Sequence, residues 1–203
     1  MFLQAWSGLA GQESDYKKFR PHANHPEAFE GEGVVQPYGD SPLDEETVGE
    51  NVYLNIISRA KRYVWICTPY LIIDNEMMTA LCLAAKNGVD VRIIMPGIPD
   101  KKVVYRLSRS YYHDLLKAGV KIYEYTPGFV HAKAFIADDK IAGIGTVNLD
   151  YRSLFLHFEC NSVFYKGTII QDLKQDYLNT QSESVERTLG DIKKGALHIL
   201  GDN

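Results

Sequence analysis

His131-Ala132-Lys133-Ala134-Phe135-Ile136-Ala137-Asp138, followed by Gly145-Thr146-Val147-Asn148, is the stretch on which both fold and chemistry turn. Its alternation and β-branched content predict a strand over Ala132 to Ala137, so His131 and Lys133, two positions apart, project from one face. An imidazole and an ammonium so placed can hold one phosphate between them. The lysine would neutralise the oxygens as charge builds in a trigonal-bipyramidal transition state. Thr146 and Asn148 offer a hydroxyl and an amide to the same oxyanion, and Gly145 lets backbone approach a ligand closely. Asp138 lies seven residues past His131. That odd offset points it the other way or into the turn beyond, where it would bind backbone groups at the strand end. Each residue also has a plainer reading: a structural histidine, a solvated strand lysine, simple turn residues. Their concentration in one segment favours the chemical one.

Outward from this segment the chain alternates helix and strand. Val48, Val52, Ile56 and Ala60 fall on one helical line within Asp44 to Lys61. Tyr63 to Thr68 is a short β-rich run. Asp74 is a candidate N-cap for a helix through Met77, Leu81 and Ala84 that Gly88 ends. A strand over Val89 to Met95, a helix from Lys102 to Lys117 and a strand over Gly119 to Tyr125 follow. Further strands are predicted at Ile141 to Gly145 and Phe158 to Tyr165, with Asp138-Asp139-Lys140 as the tight connection of a hairpin. A helix over Thr168 to Leu178 and another turn or two at Glu183 to Leu189 complete an α/β pattern, a mixed sheet with helices on both faces. Gly11 to about Pro42 has no sustained period and reads as a linker or a loop-rich connection, with a compact fold beginning near Val34. Tyr111, Tyr112 and His113 sit on a predicted helix and are assigned no role.

The 203 residues, 45% hydrophobic, can bury a real core as one domain with a loose N-terminal arm. A net charge of -4 does not favour nucleic acid as a partner, because such binding needs clustered Lys and Arg on phosphates. Cys67, Cys82 and Cys160 are odd in number, lack metal spacing and sit among apolar neighbours. They read as reduced, buried thiols of a cytosolic setting. His22 and His25 lack further ligands at metal spacing and read as exposed loop residues. Neither a metal nor a cofactor is called for. No run approaches the ~20 apolar residues that span a bilayer, and the start lacks the pattern of a secretory signal.

His131, Lys133 and Asp138, with Gly145-Thr146-Val147-Asn148, resemble the defining motif of the phospholipase D superfamily: His-x-Lys, four intervening residues, Asp, and then a Gly-Ser/Thr-x-Asn turn. Thr68-Pro69-Tyr70, Gly88-Val89-Asp90-Val91-Arg92-Ile93, Gly119-Val120-Lys121-Ile122-Tyr123-Glu124-Tyr125 and Asn148-Leu149-Asp150-Tyr151-Arg152-Ser153 look like the C-terminal half of bacterial cardiolipin synthases. The similarity covers roughly residues 34 to 180, with a weaker echo in Phe2-Leu3-Gln4-Ala5-Trp6.

The resemblance implies a phospholipase D-like fold at 34–180. It makes 1–33 an arm or linker left from a preceding domain and 181–203 a partly helical tail. It places His131, Lys133, Asp138 and Glu159 in the catalytic set, with Lys133, Thr146 and Asn148 on the substrate phosphate. Glu159 stands where the superfamily carries an acid, expected here on His131 Nδ1. Asp150 and Arg152 are left between an ion pair and a substrate contact. The implied activity is phosphatidyl transfer through a phosphohistidine, two phosphatidylglycerols giving cardiolipin and glycerol, at the cytoplasmic face of a bacterial membrane. Superfamily sites pair two His-x-Lys motifs, and this chain has one. It is expected to need a missing N-terminal half or a second copy of itself. The alternatives are a phospholipase D-type phosphodiesterase or single-motif nuclease working as a homodimer, and an inactive fragment that binds lipid phosphate.

Overall fold

The computed structural model describes residues 2–20, 32–43 and 45–192. The expectations for His22, His25 and the tail from residue 193 lie outside them. The chain divides into two units, Met1–Glu32 and Gly33–Asn203. In the first, helix α1 spans Phe2–Ala10 and a 3-10 turn spans Tyr16–Phe19, capped by Asp15, which accepts from the Lys17 N–H at 3.1 Å.

The second unit begins with β1 (Val34–Asp40), α2 (Val48–Arg59), β2 (Tyr63–Cys67), β3 (Leu71–Ile72), α3 (Asn75–Lys86) and β4 (Asp90–Pro96). It continues with α4 (Lys102–Ser110), α5 (Tyr112–Ala118), β5 (Lys121–Tyr125), β6 (Ala134–Ala137), β7 (Ile141–Gly145) and β8 (Leu149–Asp150). Helix α6 (Tyr151–Leu156), β9 (Glu159–Tyr165), α7 (Ile169–Ser182) and β10 (Ser184–Arg187) complete it. Among the described residues, eight strands form one mixed sheet in the order β1-β9-β7-β6-β2-β4-β5-β10, and β3 and β8 pair separately in parallel.

Strand β2 is buried along its whole length, as a strand covered on both faces must be. Period two sorts its residues: Val64 and Ile66 face α2, α3 and α5 through Tyr53, Ile57, Met77, Leu81 and Leu115. Tyr63, Trp65 and Cys67 face α7 through Ile170 and Tyr177. A fully enclosed side chain such as Ile66 or Ile93 contributes about 1.5–3 kcal/mol through removal from water. The expected mixed sheet with helices on both faces is therefore present.

Some expectations are corrected. Val34–Asp40, for which no strand was expected, is strand β1, paired antiparallel with β9 along its length. Its Pro37 is tolerated because β1 is an edge strand. Asp40 at its end is buried and accepts from the Gly49 N–H at 2.6 Å, so α2 is capped from the neighbouring strand. The helix expected over Lys102 to Lys117 breaks at Tyr111, where the chain tightens to a Tyr111 N–H to Ser108 carbonyl bond. Within the stretch Glu183 to Leu189, where a turn or two of helix was expected, Ser184–Arg187 forms β10, antiparallel to β5. The reason is electrostatic: Glu124 on β5 is fully buried, and Arg187 on β10 reaches its carboxylate at 2.6 Å, with Arg109 at 3.3 Å. A buried charge demands such partners.

Candidate active site

The turn joining β6 and β7 lies at the far end of β6 from His131. Asp138 and Asp139 both take left-handed backbone, with φ of 56° and 59°, a conformation Asp accepts more readily than most residues. The buried Asp138 carboxylate receives the N–H groups of Lys61 (2.8 Å), Arg62 (2.8 Å) and Tyr63 (3.0 Å). Asp139 binds Arg62, Tyr63 and Lys174. Burial pushes the Asp138 carboxyl up, but the three backbone N–H bonds and the Arg62 charge outweigh it and hold it below its ordinary value. The four residues of β6 separate Asp138 from His131 by roughly 10 Å or more. Asp138 thus binds the entry to β2 and is not brought to the histidine.

At the other end of β6, His131 is exposed and Lys133 buried. Both precede the first strand residue, Ala134. Lys133 Nζ lies 3.0 Å from His131 Nδ1 and donates to the His131 carbonyl at 2.7 Å. An ammonium can only donate, so Nδ1 accepts and a neutral ring carries its proton on Nε2. Burial and the Lys133 charge together lower the His131 pKa, against a smaller raising effect from Asp100. Burial also lowers the Lys133 pKa, opposed by Glu159, Cys67 and Asp150. Lys133→Met is therefore expected to raise the His131 pKa, measurable by NMR titration of the imidazole. An unchanged or lower value would show that the ammonium does not act on the ring.

Two aromatic side chains border the histidine: Tyr70, edge-on at 6.4 Å, and Phe129 at 5.7 Å between ring centroids. Tyr70 OH donates to Asp100 at 2.5 Å. The loop after β7 is held from several sides. Thr68 Oγ1 accepts from Leu149 N–H at 3.1 Å, Tyr53 OH donates to the Val147 carbonyl at 3.2 Å, and Ser153 Oγ accepts from Asn148 N–H at 2.9 Å.

Glu159 is buried, but its carboxylate is not on His131. It accepts from Ser153 Oγ at 2.5 Å and from Thr146 Oγ1, and His157 Nδ1 lies 3.8 Å away. Strand pairing explains this placement. Gly145 lies opposite Asn161, so Glu159 and Asn161 point inward while Cys160 points out. Cys160, expected buried, is exposed, and Cys82 is half-buried. The Thr146 hydroxyl, expected on phosphate, donates to Glu159 and accepts from the Cys160 N–H at 2.9 Å. Asn148 keeps a buried, unpartnered Oδ1. Asp150 caps α6 by accepting from Ser153 N–H at 3.0 Å, and Arg152 donates to His157 Nε2 at 2.8 Å. No Asp150–Arg152 ion pair forms among the described residues.

Gly145 serves the neighbouring strand. A Cβ there would run into Asn161 Oδ1 and the Cys160 carbonyl. Gly145→Ala is expected to lower stability by about 1–3 kcal/mol, read as a shift in urea midpoint. A midpoint within error of the parent would place the need for glycine elsewhere.

Tyr70, Phe129, Asp100, Ser153 and His157 were given no role from the sequence. Tyr70 and Ser153 stood within phrases that carried the family resemblance. Among the described residues no group of three or more His, Cys, Asp or Glu side chains converges to hold a metal. No helix there is long and apolar enough to cross a membrane.

The family described as cardiolipin synthase, PLD-like domain, matches residues 53–180. An uncharacterised protein of Streptococcus mutans is 53% identical over 99% of this chain and 43% of its own length. Cardiolipin synthase 2 of Bacillus anthracis is 40% identical over 98% of this chain and 38% of its own length. The chain thus spans about two-fifths of these relatives. Among solved structures, the phospholipase D family member Nuc of Salmonella typhimurium superposes with a TM-score of 0.66 at 19% identity, over 77% of this chain and 99% of that one. Phosphatidylserine synthase of Haemophilus influenzae gives 0.62 at 18% identity, over 75% of this chain and 40% of that one. At such identities these two speak to the fold alone.

Proposed function

The chain belongs to the cardiolipin synthase family of phospholipase D-like domains, and from that premise we propose that it supplies one His-x-Lys half-site of a phosphatidyltransferase acting on phosphatidylglycerol. The observation that carries this reading is the His131–Lys133 contact at 3.0 Å, an exposed imidazole beside a buried cation. In the first step a histidine nitrogen attacks the phosphodiester phosphorus. An N–P bond forms, the P–O bond to glycerol breaks, and a second histidine gives its proton to the departing alkoxide. In the second step that histidine takes the proton from the hydroxyl of another phosphatidylglycerol. Its oxygen attacks phosphorus, the N–P bond breaks, and cardiolipin leaves. Lys133 would stabilise the equatorial oxygens throughout.

One half-site does not provide both histidines. As arranged, the neutral His131 ring carries its proton on Nε2; giving a proton to a leaving alkoxide takes the imidazolium, which burial and the Lys133 charge oppose. A nucleophilic Nε2 requires the proton on Nδ1, held by an acceptor, and Glu159 is already engaged by Thr146 and Ser153. A second half-site is proposed to come from another copy of this chain or from a preceding segment such as the longer relatives have room for. Residues 34–180 are assigned as the domain that carries the half-site. For the homodimer, specific activity on phosphatidylglycerol should fall on dilution in step with the mass in solution. A strict monomer whose specific activity is independent of dilution overturns it.

A further inference from the structure

We propose that the outer face of α4, with the Ile98–Pro99 turn before it, docks onto the surface of an anionic lipid bilayer; this rests on the phosphatidylglycerol reading and gives it a place of contact. The inner side of α4 is fixed to the domain. Ser108 Oγ accepts from Leu71 N–H at 3.2 Å, Tyr105 OH donates to the Gly97 carbonyl at 3.2 Å, and Arg109 pairs with the buried Glu124.

The outer side is exposed and carries two adjacent rows. Lys102 and Arg106 form one, and Val103 and Leu107 the other, each pair four residues apart on the helix. Val103 is 78% exposed, and Leu107 and Ile98 are each 45% exposed. An aliphatic row packed in a protein core would not stand in water, and a stripe kept only for solubility would not contain it. Among the described residues Lys101, Lys102 and Arg106 form no ion pair with a carboxylate. The nearby acid, Asp100, is engaged by Tyr70 OH and the Lys101 N–H. The chain as a whole is acidic, at -4, so this basic row runs against the overall balance.

Aliphatic side chains beside unpaired cations match a lipid–water boundary, with the apolar row at the acyl chains and the basic row at the phosphates. Each Lys or Arg held near an anionic surface strengthens partitioning roughly fivefold. Through Asp100 and Tyr70 the start of α4 connects to the aromatic wall of His131. Docking through α4 therefore brings the bilayer to a structural neighbour of the histidine.

The test is co-sedimentation of the full chain with vesicles of phosphatidylglycerol or of phosphatidylcholine. Binding is expected to the first and not the second, weakening with salt. The pair V103S/L107S, which keeps the charge, and the pair K102E/R106E, which keeps the apolar row, should each weaken phosphatidylglycerol binding about tenfold or more, with the thermal unfolding midpoint as the check on folding. Absence of binding by the parent chain, or binding unchanged in both pairs, overturns the proposal. So does a V103S/L107S chain that loses a dimer in solution while still sedimenting with vesicles, which assigns the face to a second copy. Turnover of phosphatidylglycerol in detergent micelles separates the two readings. Turnover without vesicle binding removes the docking face alone, and vesicle binding through α4 without turnover in any pairing removes the transferase alone.

Discussion

Replacing His131 by glutamine is expected to lower phosphatidylglycerol turnover by on the order of 10^4-fold when a complementary half-site is present. Glutamine can hydrogen-bond in place of the ring but can neither carry a phosphoryl group nor exchange a proton near neutrality. His131 is exposed, so the same change should leave the urea midpoint within about 0.5 kcal/mol of the parent. Loss of turnover together with a large loss of stability would mean that the ring is structural. Retained turnover would place the chemistry on another group.

Asp138→Ala is expected to act in the opposite way. Three backbone N–H groups at the entry to β2 lose a charged acceptor, and alanine must adopt φ near +56°, which together cost about 3–5 kcal/mol. Turnover per folded molecule should change little, because no step uses this carboxylate. The loss also carries a pH signature. The folded-state carboxyl is held below its ordinary value, so its contribution is complete above the unfolded pKa of about 3.9. It disappears as pH falls through the lower folded value. Urea midpoints of the parent and Asp138→Ala, followed into acid, should draw closer as the charged-acceptor part is lost, leaving the smaller gap due to backbone strain. A constant gap across that range would assign the effect to backbone strain alone, and a catalytic loss in folded protein would return Asp138 to the chemistry.

The contrast between these residues marks what a linear sequence can show. His131 and Lys133 are two positions apart, and local geometry alone brings them together. Asp138 is separated from them by one short strand, and parity alone was enough to turn it away. Glu159 is different. Its partners Thr146 and Ser153 are set by the register of β9 on β7 and by the short helix α6, neither of which can be read from spacing. A one-residue slip would have exchanged it with Cys160, the residue wrongly expected inside.

The sheet edges were hidden for related reasons. Strand β1 contains Pro37 and Gly39, residues that discourage a strand reading but are harmless at an edge. Strand β10, Ser184-Val185-Glu186-Arg187, is polar and without clear alternation. It is held by the pairing of Arg187 with Glu124 across the sheet, a contact between residues far apart in the chain. The central strands and helices, by contrast, announced themselves through long apolar runs and the Asp74 cap, whose carboxylate accepts from Met77 N–H at 2.8 Å.

Product analysis with acyl-labelled phosphatidylglycerol, supplied to the chain at dimer-forming concentration or together with a complementary half, tests phosphatidyl transfer most directly. Labelled cardiolipin with an equal amount of released glycerol, abolished by His131→Gln, is the predicted result. Labelled phosphatidic acid as the sole product, or no labelled product in either pairing, would contradict it.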